Sequence, residues 1–336
     1  MHESRLASLE LLSDCVPDEI ASLARHLEVR SLGAGEVLMR EGDPGSFFVL
    51  LIDGELVVER ATADGVERVA EAGPGSIVGE LALLLDQRRG ATVRAVRPST
   101  VAVGGDEDLD RLLGLTGVHD RVEHLASSRL AASSRPVVFA LRDGGEVLLR
   151  PLLPADRAAY ASAIDALSAD SLRRRFLTGG RPNSRMIDYL VDIDYVDHFA
   201  WVVQDPQLAG EVLGTARFVR LRDEPERAEV AFEVVDEQQG RGIATVLLGA
   251  IGVAAQLAGV EVLVATVLLD NAPMRAVFAK IGASAEFGDP GEIHLEMAPS
   301  AAAALLDRDV RDELDRTVRN IVTAAGLALT RPTGGA

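Results

Sequence analysis

The sequence predicts a two-domain α+β protein: an N-terminal β-roll with flanking helices, then a mixed, mostly antiparallel sheet with helices on both faces. Three observations predict it. A chain of 336 residues is longer than one hydrophobic core usually organises. From Gly35 to Val103, short apolar or alternating runs (EVLMR, FFVLLI, ELVVERA, VERVAEA, TVRAV, TVAVG) are separated by Gly, Asp-Gly and Pro-Gly turns, the pattern of a roll or barrel. After Ser133-Ser134-Arg135-Pro136 the pattern changes, and strands alternate with helices.

In chain order, Leu6 to Leu27 has apolar residues at helical spacing and reads as one or two short helices before the roll. A helical stretch from Asp106 to Ala132 follows the roll and begins with an acidic cluster suited to a helix N-terminus. The expected domains are residues 1–132, a linker at 133–136, a second domain at 137–299 and a C-terminal helix or tail at 300–336. In the second domain, strands are expected near 137–141, 146–150, 199–204, 211–221, 227–235, 261–268 and 291–297. Helices are expected near 155–168, 183–192, 241–258 and 272–281.

The formal charge of −18 argues against a general attraction to nucleic-acid phosphates or anionic lipid. An anionic ligand must therefore meet local cations, of which Arg88/Arg89, Arg173 to Arg175 and Arg241 stand out. The longest apolar runs, such as Ile243 to Ala258, are broken by glycines and Gln256, so no membrane span is expected. The start Met1-His2-Glu3-Ser4-Arg5 lacks a basic region followed by an apolar one, and the single cysteine, Cys15, has no internal disulfide partner. A cytoplasmic protein without nucleic-acid or membrane partners and without a metal is the expectation.

The first site is GELALLLDQRRGAT. A ligand with one anionic phosphate and a ribose hydroxyl needs backbone N–H donors, a guanidinium and a carboxylate acceptor. Gly79 allows close backbone approach, Glu80 can accept from a hydroxyl, and Arg89 can form charge-assisted bonds to a phosphate. Gly90 and Ala91 expose further N–H groups, and LALLL predicts a helical turn whose N-terminus faces the anion. An isolated glutamate and arginine would read as a surface ion pair. This stretch, however, resembles the phosphate-binding cassette of the cyclic-nucleotide-binding domain family at Gly79, Glu80, Leu81, Ala82, Leu83, Leu84, Arg89, Ala91 and Thr92. Val78 stands for the common Phe and Arg88 for the common Pro. The resemblance implies cyclic AMP (cAMP), because Thr at position 92 goes with adenine, and it places Arg129 over the base. A DNA-binding relative would need a basic helix-turn-helix after the roll, and the chain has a longer domain of another kind there.

The second site is AEVAFEVVDEQQGRGIATVLLG. Gln239-Gly240-Arg241-Gly242-Ile243-Ala244 offers successive N–H groups at a helix N-terminus, which suits a pyrophosphate. The dinucleotide fingerprint G-x-G-x-x-G is absent, and there is no P-loop lysine. The loop instead resembles the acetyl-CoA motif of the Gcn5-related N-acetyltransferases (GNAT family) at Gln239, Gly242 and Ala244. Asp270-Asn271-Ala272-Pro273-Met274-Arg275 and FAKIGA resemble a further segment of it, which implies coenzyme contacts from Asn271 and Lys280. Phe278 stands where a tyrosine is frequent, which puts a tyrosine general acid in doubt. Glu229 and Glu233 lie four apart on one strand, on one face and roughly 13 Å apart. The resemblance makes Glu229 the base and turns the N–H groups around Ala231, Phe232 and Glu233 to the thioester, with Glu233 toward solvent or the coenzyme arm. His198 is either a second proton carrier or structural. Arg173 to Arg175 with Phe176 form a solvated helix face or a ligand contact, and Thr178 is a substrate-contact candidate.

The two sites together, with DYVDHFAWVV, RRRF and AEVAF, resemble the mycobacterial cAMP-regulated protein lysine acetyltransferases. That implies acetyl transfer from acetyl-CoA to protein lysines, such as those of acyl-AMP-forming ligases, switched on by cAMP. A small-molecule amine acetyltransferase and a non-catalytic cAMP-binding module stay open as alternatives.

Overall fold

The structure is a computed structural model that describes residues 2–62, 65–177, 180–207 and 210–330. It divides into two compact units: the described residues through Ala126 with those from Thr323, and Ser127–Val322.

In the first unit, α1 (His2–Leu6) and α2 (Pro17–Ala24) precede a sheet whose pairings are all antiparallel. A proline at the first turn and the Glu19 carboxylate, which accepts from Val16 N–H at 2.9 Å, start α2. The strands are β1 (Glu28–Leu32), β2 (Val37–Met39), β3 (Phe48–Thr62), β4 (Gly65–Ala72), β5 (Ile77–Val78) and β6 (Thr92–Gly104). They run β1-β6-β3-β4, with β2 on β6 and β5 on β3. Inward residues of both long strands, among them Val49, Leu51, Leu56, Val93 and Val101, close a core of their own. Between β5 and β6 lies α3 (Glu80–Leu84), the predicted helical turn. The helical stretch after the roll is two helices, α4 (Asp106–Leu113) and α5 (Val118–Ser133), because Gly114 and Gly117 interrupt it. The division between units falls inside α5, since Ala131 on its last turn is buried in the second core.

The second unit contains β7 (Val137–Ala140), β8 (Glu146–Pro151), α6 (Arg157–Ala166), α7 (Ala169–Phe176), α8 (Ser184–Val191), β9 (His198–Gln204), β10 (Val212–Arg220) and β11 (Arg227–Val234). Then come α9 (Ile243–Leu257), β12 (Val262–Leu268), α10 (Ala272–Ala279), β13 (Ser284–Phe287), β14 (Glu292–Met297), α11 (Pro299–Ala303) and α12 (Arg308–Thr330). Two of these fall outside the expected helix and strand ranges. The sequence ADSLRRRF buries only Leu172 and so has almost no apolar stripe, but Ser168 caps α7 by accepting from Ser171 N–H. The exposed strand β13 is held by β14 alone.

The eight strands run β13-β14-β12-β11-β10-β9-β8-β7, antiparallel except for β11 with β12. The aromatic core, Tyr160, Tyr195, Phe199, Trp201 and Phe218, is fully buried, and Trp201 donates from Nε1 to the Ala250 carbonyl of α9 at 3.0 Å. Helix α9 also packs against α11. A Cβ at Gly252 would stand 2.5 Å from the Pro299 carbonyl oxygen, so only glycine lets these helices approach so closely. Leu314, Val318 and Ile321 of α12 join the same core.

The parallel pairing of β11 with β12 covers only Arg227–Glu229 against Val262–Val264. Beyond Glu229 the two strands part, while β11 keeps its ladder with β10 from Ala228 to Val234. The β12-facing backbone of the last part of β11 therefore has no ladder partner, and the gap opens a cavity.

Candidate functional site

In the first unit, Gly79 has φ of +90°, a conformation that suits glycine, and is the residue before α3. Glu80 opens that helix and is 1% exposed, which is unusual for a carboxylate. Arg89 is buried as well. Its Nη1 donates to the Gly79 carbonyl at 2.7 Å and its Nη2 to the Phe47 carbonyl at 2.5 Å, and the guanidinium lies 4.8 Å from the centre of the Phe47 ring. Burial lowers the Arg89 pKa, and the negative charges of Glu80 and Asp43 oppose this. The two hydrogen-bond acceptors of the guanidinium are neutral carbonyls, which leave charge for an anion.

Arg88 turns away and donates to the Gly42 carbonyl at 2.8 Å, so Arg89 is the arginine beside Glu80. Leu81 and Ala82 lie in α3, with Ala82 buried; Gly90 follows Arg89 on the surface. Thr92 is half-buried at the start of β6 and accepts from Glu41 N–H at 3.1 Å. Arg129 lies on the part of α5 that belongs to the second unit.

In the second unit, the gap between β11 and β12 is a cavity of about 290 Å³. Glu229, Ala231, Phe232, Glu233, Gln239, Gly240, Gly242, Ile243, Ala244, Asn271 and Lys280 all line it. Gly240 and Gly242 have φ of +79° and +103°, and Gly242 begins α9 with no side chain capping it. The first N–H groups of α9 therefore lie beside the cavity, an arrangement that favours anions. Gln239 is fixed by bonds from Nε2 to the Val234 carbonyl and Asp236, at 3.1 and 3.0 Å. Asn271 is buried and caps α10, accepting from Met274 N–H at 3.3 Å. The Phe278 ring packs on Phe232, with centroids 5.6 Å apart, and forms an apolar wall.

One placement differs from the sequence reading, and two alternatives that it left open are narrowed to one. The Arg241 side chain is not on the cavity wall; it pairs with Asp143 at 2.5 Å and donates to Gln238. Glu233 does not face solvent. It is buried, paired with Arg175, and accepts from the Thr215 hydroxyl, with Arg217 at 3.9 Å. Burial would push its carboxyl pKa up, but Arg175 and Arg217 hold it below the usual range. Glu229, exposed on the cavity wall, is the carboxylate with access to a solvent-borne nucleophile. His198 stays off that wall. Its Nε2 lies 3.3 Å from Arg217 Nη1, and burial and that guanidinium push its pKa down to about 3. Since an arginine only donates, this nitrogen accepts, and the ring is a neutral structural member. Thr178 lies outside the described residues.

Arg142, from the β7–β8 turn, and Arg174 and Arg175, from α7, also line the cavity. RRRF was marked by its charge in the sequence; Arg142 carried no signal, since nothing in LRDGG shows that it folds against Gly242, 3.7 Å from where a Cβ there would stand.

Residues 29–114 match the cyclic nucleotide-binding domain family, and residues 146–284 match the acetyltransferase (GNAT) domain family. The chain is 43% identical to a cAMP-dependent protein kinase regulatory subunit of Emericella nidulans over 34% of this chain and 27% of that one. A solved cAMP-binding acyltransferase from Mycobacterium smegmatis aligns over 96% of this chain and 97% of its own, with 34% identity and a TM-score of 0.49. Acetyltransferase Pat of Mycolicibacterium smegmatis is 38% identical over 95% of this chain and 96% of its own. Similarity sustained across both domains, and not confined to either, shows that the chain belongs to the acetyltransferase Pat family.

Proposed function

We propose that this chain transfers acetyl from acetyl-CoA to the ε-amine of protein lysines, and that cAMP bound in the roll controls the rate. The observation that carries the transfer is the parting of β11 from β12 just beyond Glu229, beside the uncapped start of α9. The pyrophosphate of the coenzyme lies on the N–H groups of Gly240 to Ala244, with Lys280 supplying positive charge. The pantetheine arm runs through the gap and takes up the β12-facing N–H groups of Ala231 to Glu233. Arg142 adds positive charge along the way, while Arg174 is paired with Asp170 at 2.7 Å.

A lysine ammonium with an ordinary pKa of about 10.4 must lose a proton before it attacks. Glu229 receives that proton, directly or through a water. The free amine attacks the thioester carbonyl, whose growing negative charge is met by backbone N–H groups of β11. The thiolate departs with the electron pair and takes up, through water, the proton that the nitrogen loses as the amide forms, since phenylalanine occupies position 278. Glu229→Gln is expected to lower kcat by about 10²- to 10⁴-fold at saturating acetyl-CoA. Full activity in that variant would remove Glu229 from the role.

In the roll, Glu80 accepts from the ribose hydroxyl, and Arg89 with the N–H groups of Gly90 and Ala91 holds the phosphate. Cyclic AMP acts by binding one state of the enzyme better than another. The protein acceptors are acyl-AMP-forming ligases, and the work is done in the cytoplasm. No helix among the described residues is long and apolar enough to cross a membrane.

A further inference from the structure

The chain has 34 lysines and arginines together, and a single one of them, Lys280, is a lysine. That residue stands on the wall of the cavity assigned to the coenzyme. It follows α10, is exposed, and reaches across to the first turn of α9, where Nζ lies 3.2 Å from the Thr245 hydroxyl. Its partner is neutral, and no ion pair to a carboxylate is found for it among the described residues. An ammonium beside the positive end of an uncapped helix is electrostatically unfavourable until an anion comes between them. Lys280 and α9 therefore form one anion site, and the site depends on the lysine's charge.

The same charge is open to the reagent the cavity is built to hold. A thioester acylates amines, whereas a guanidinium stays protonated and is no nucleophile. Every other basic side chain except the histidines is a guanidinium, so the chain carries one side-chain ε-amine, placed where its loss affects the coenzyme directly.

We propose that Lys280 is a feedback acylation site. Resting on the acetyl-CoA reading above, the step uses a second acetyl-CoA, either free or carried by another copy of the enzyme. The unprotonated Nζ attacks the thioester carbonyl and forms an amide N–C bond. The C–S bond breaks, and the coenzyme thiolate leaves with the electron pair and takes up, through water, the proton lost by the amine. Acetyl-lysine has no charge, and the anion site at α9 is lost. Abundant acetyl-CoA thus slows its own use.

The test incubates the full-length protein with acetyl-CoA and a lysine-bearing acceptor protein, and then maps acetyl groups on both by peptide mass spectrometry. Coenzyme affinity of the modified and unmodified enzyme is measured by calorimetry with CoA. The expected result is one acetyl group at Lys280, distinguished by mapping from any on the N-terminal amine. None is expected at position 280 in Lys280→Arg. Affinity for CoA should fall about tenfold or more on acetylation, and Lys280→Gln should reproduce the fall. A labelling rate that rises with enzyme concentration marks transfer between copies, and a constant rate marks direct reaction; either supports the site. An unmodified Lys280 beside an acetylated acceptor overturns the proposal, as does equal CoA affinity before and after acetylation. If the acceptor stays unmodified, the transfer reading fails by itself, and the mass at Lys280 still decides this proposal.

Discussion

Each unit holds a buried arginine near a glutamate, and the two pairs are put to different uses. In the roll, Arg89 donates to the carbonyls of Gly79 and Phe47, which are neutral acceptors. In the second unit, Arg175 rests on the Glu233 carboxylate, which raises its pKa against the opposing effect of burial. Burial alone does not distinguish a ligand-binding arginine from a structural one. The partner does: a neutral carbonyl leaves charge for an incoming phosphate, while a carboxylate uses it up.

The comparison can be broken from either side. The largest effect is expected at Glu233→Gln, which strands Arg175 and Arg217 without their carboxylate in a buried network that includes the Tyr160 hydroxyl, 3.1 Å from Arg217. Removing one partner of a buried pair costs about 3–5 kcal/mol. Reversible denaturant unfolding of the second unit's transition measures it, and a loss under about 1 kcal/mol would place Glu233 among surface pairs.

Next comes Arg89→Ala, which removes the guanidinium beside Glu80, while Arg88 is turned to the Gly42 carbonyl. Two charge-assisted bonds to a phosphate are at stake, and cAMP affinity should drop about a hundredfold or more in calorimetry. Affinity retained in Arg89→Ala but lost in Arg88→Ala would reverse the assignment.

The smallest effect near neutral pH concerns His198, a neutral member of the structural network, with a pKa lowered to about 3 by burial and Arg217. Between about pH 6.5 and 3 the unfolded chain takes up a proton that the folded one refuses. The stability from this neutral imidazole is present above the unfolded value and declines as pH falls, by at most about 1.4 kcal/mol per pH unit. The slope of unfolding free energy against pH should be shallower in His198→Asn, and an unchanged slope would assign the acid sensitivity elsewhere.

Much of this was legible in the sequence because it depends on local chemistry. Turn glycines, alternating strands and the helix after Gly242 each follow from a few neighbouring residues, and the two cassettes are contiguous. Helix α7 was legible only as one of two readings of Arg173 to Phe176, because its apolar stripe is almost absent and one capping serine starts it. Strand β13 was missed because SAEF has no buried face. The burial of Glu233 in an ion pair was not legible either, although the coenzyme arm was one of its two expected surroundings. Strand alternation places it on the same face as Glu229, but only the fold brings Arg175, from another element, and Thr215, from the neighbouring strand, to enclose it. The pairing of the Arg241 guanidinium was not legible for the same reason, since Asp143 is distant in sequence and adjacent in space.

The central claim is that nucleotide held between Glu80 and Arg89 governs acetyl transfer at Glu229. It is tested most directly by following acetylation of a purified acyl-AMP-forming ligase by mass spectrometry at saturating acetyl-CoA, with and without cAMP. The account predicts a rate increase of about 5- to 150-fold with cAMP, as expected for a coupling of ordinary size, and none with cAMP in Arg89→Ala. Equal rates with and without nucleotide, at cAMP concentrations that calorimetry shows to be saturating, would contradict it.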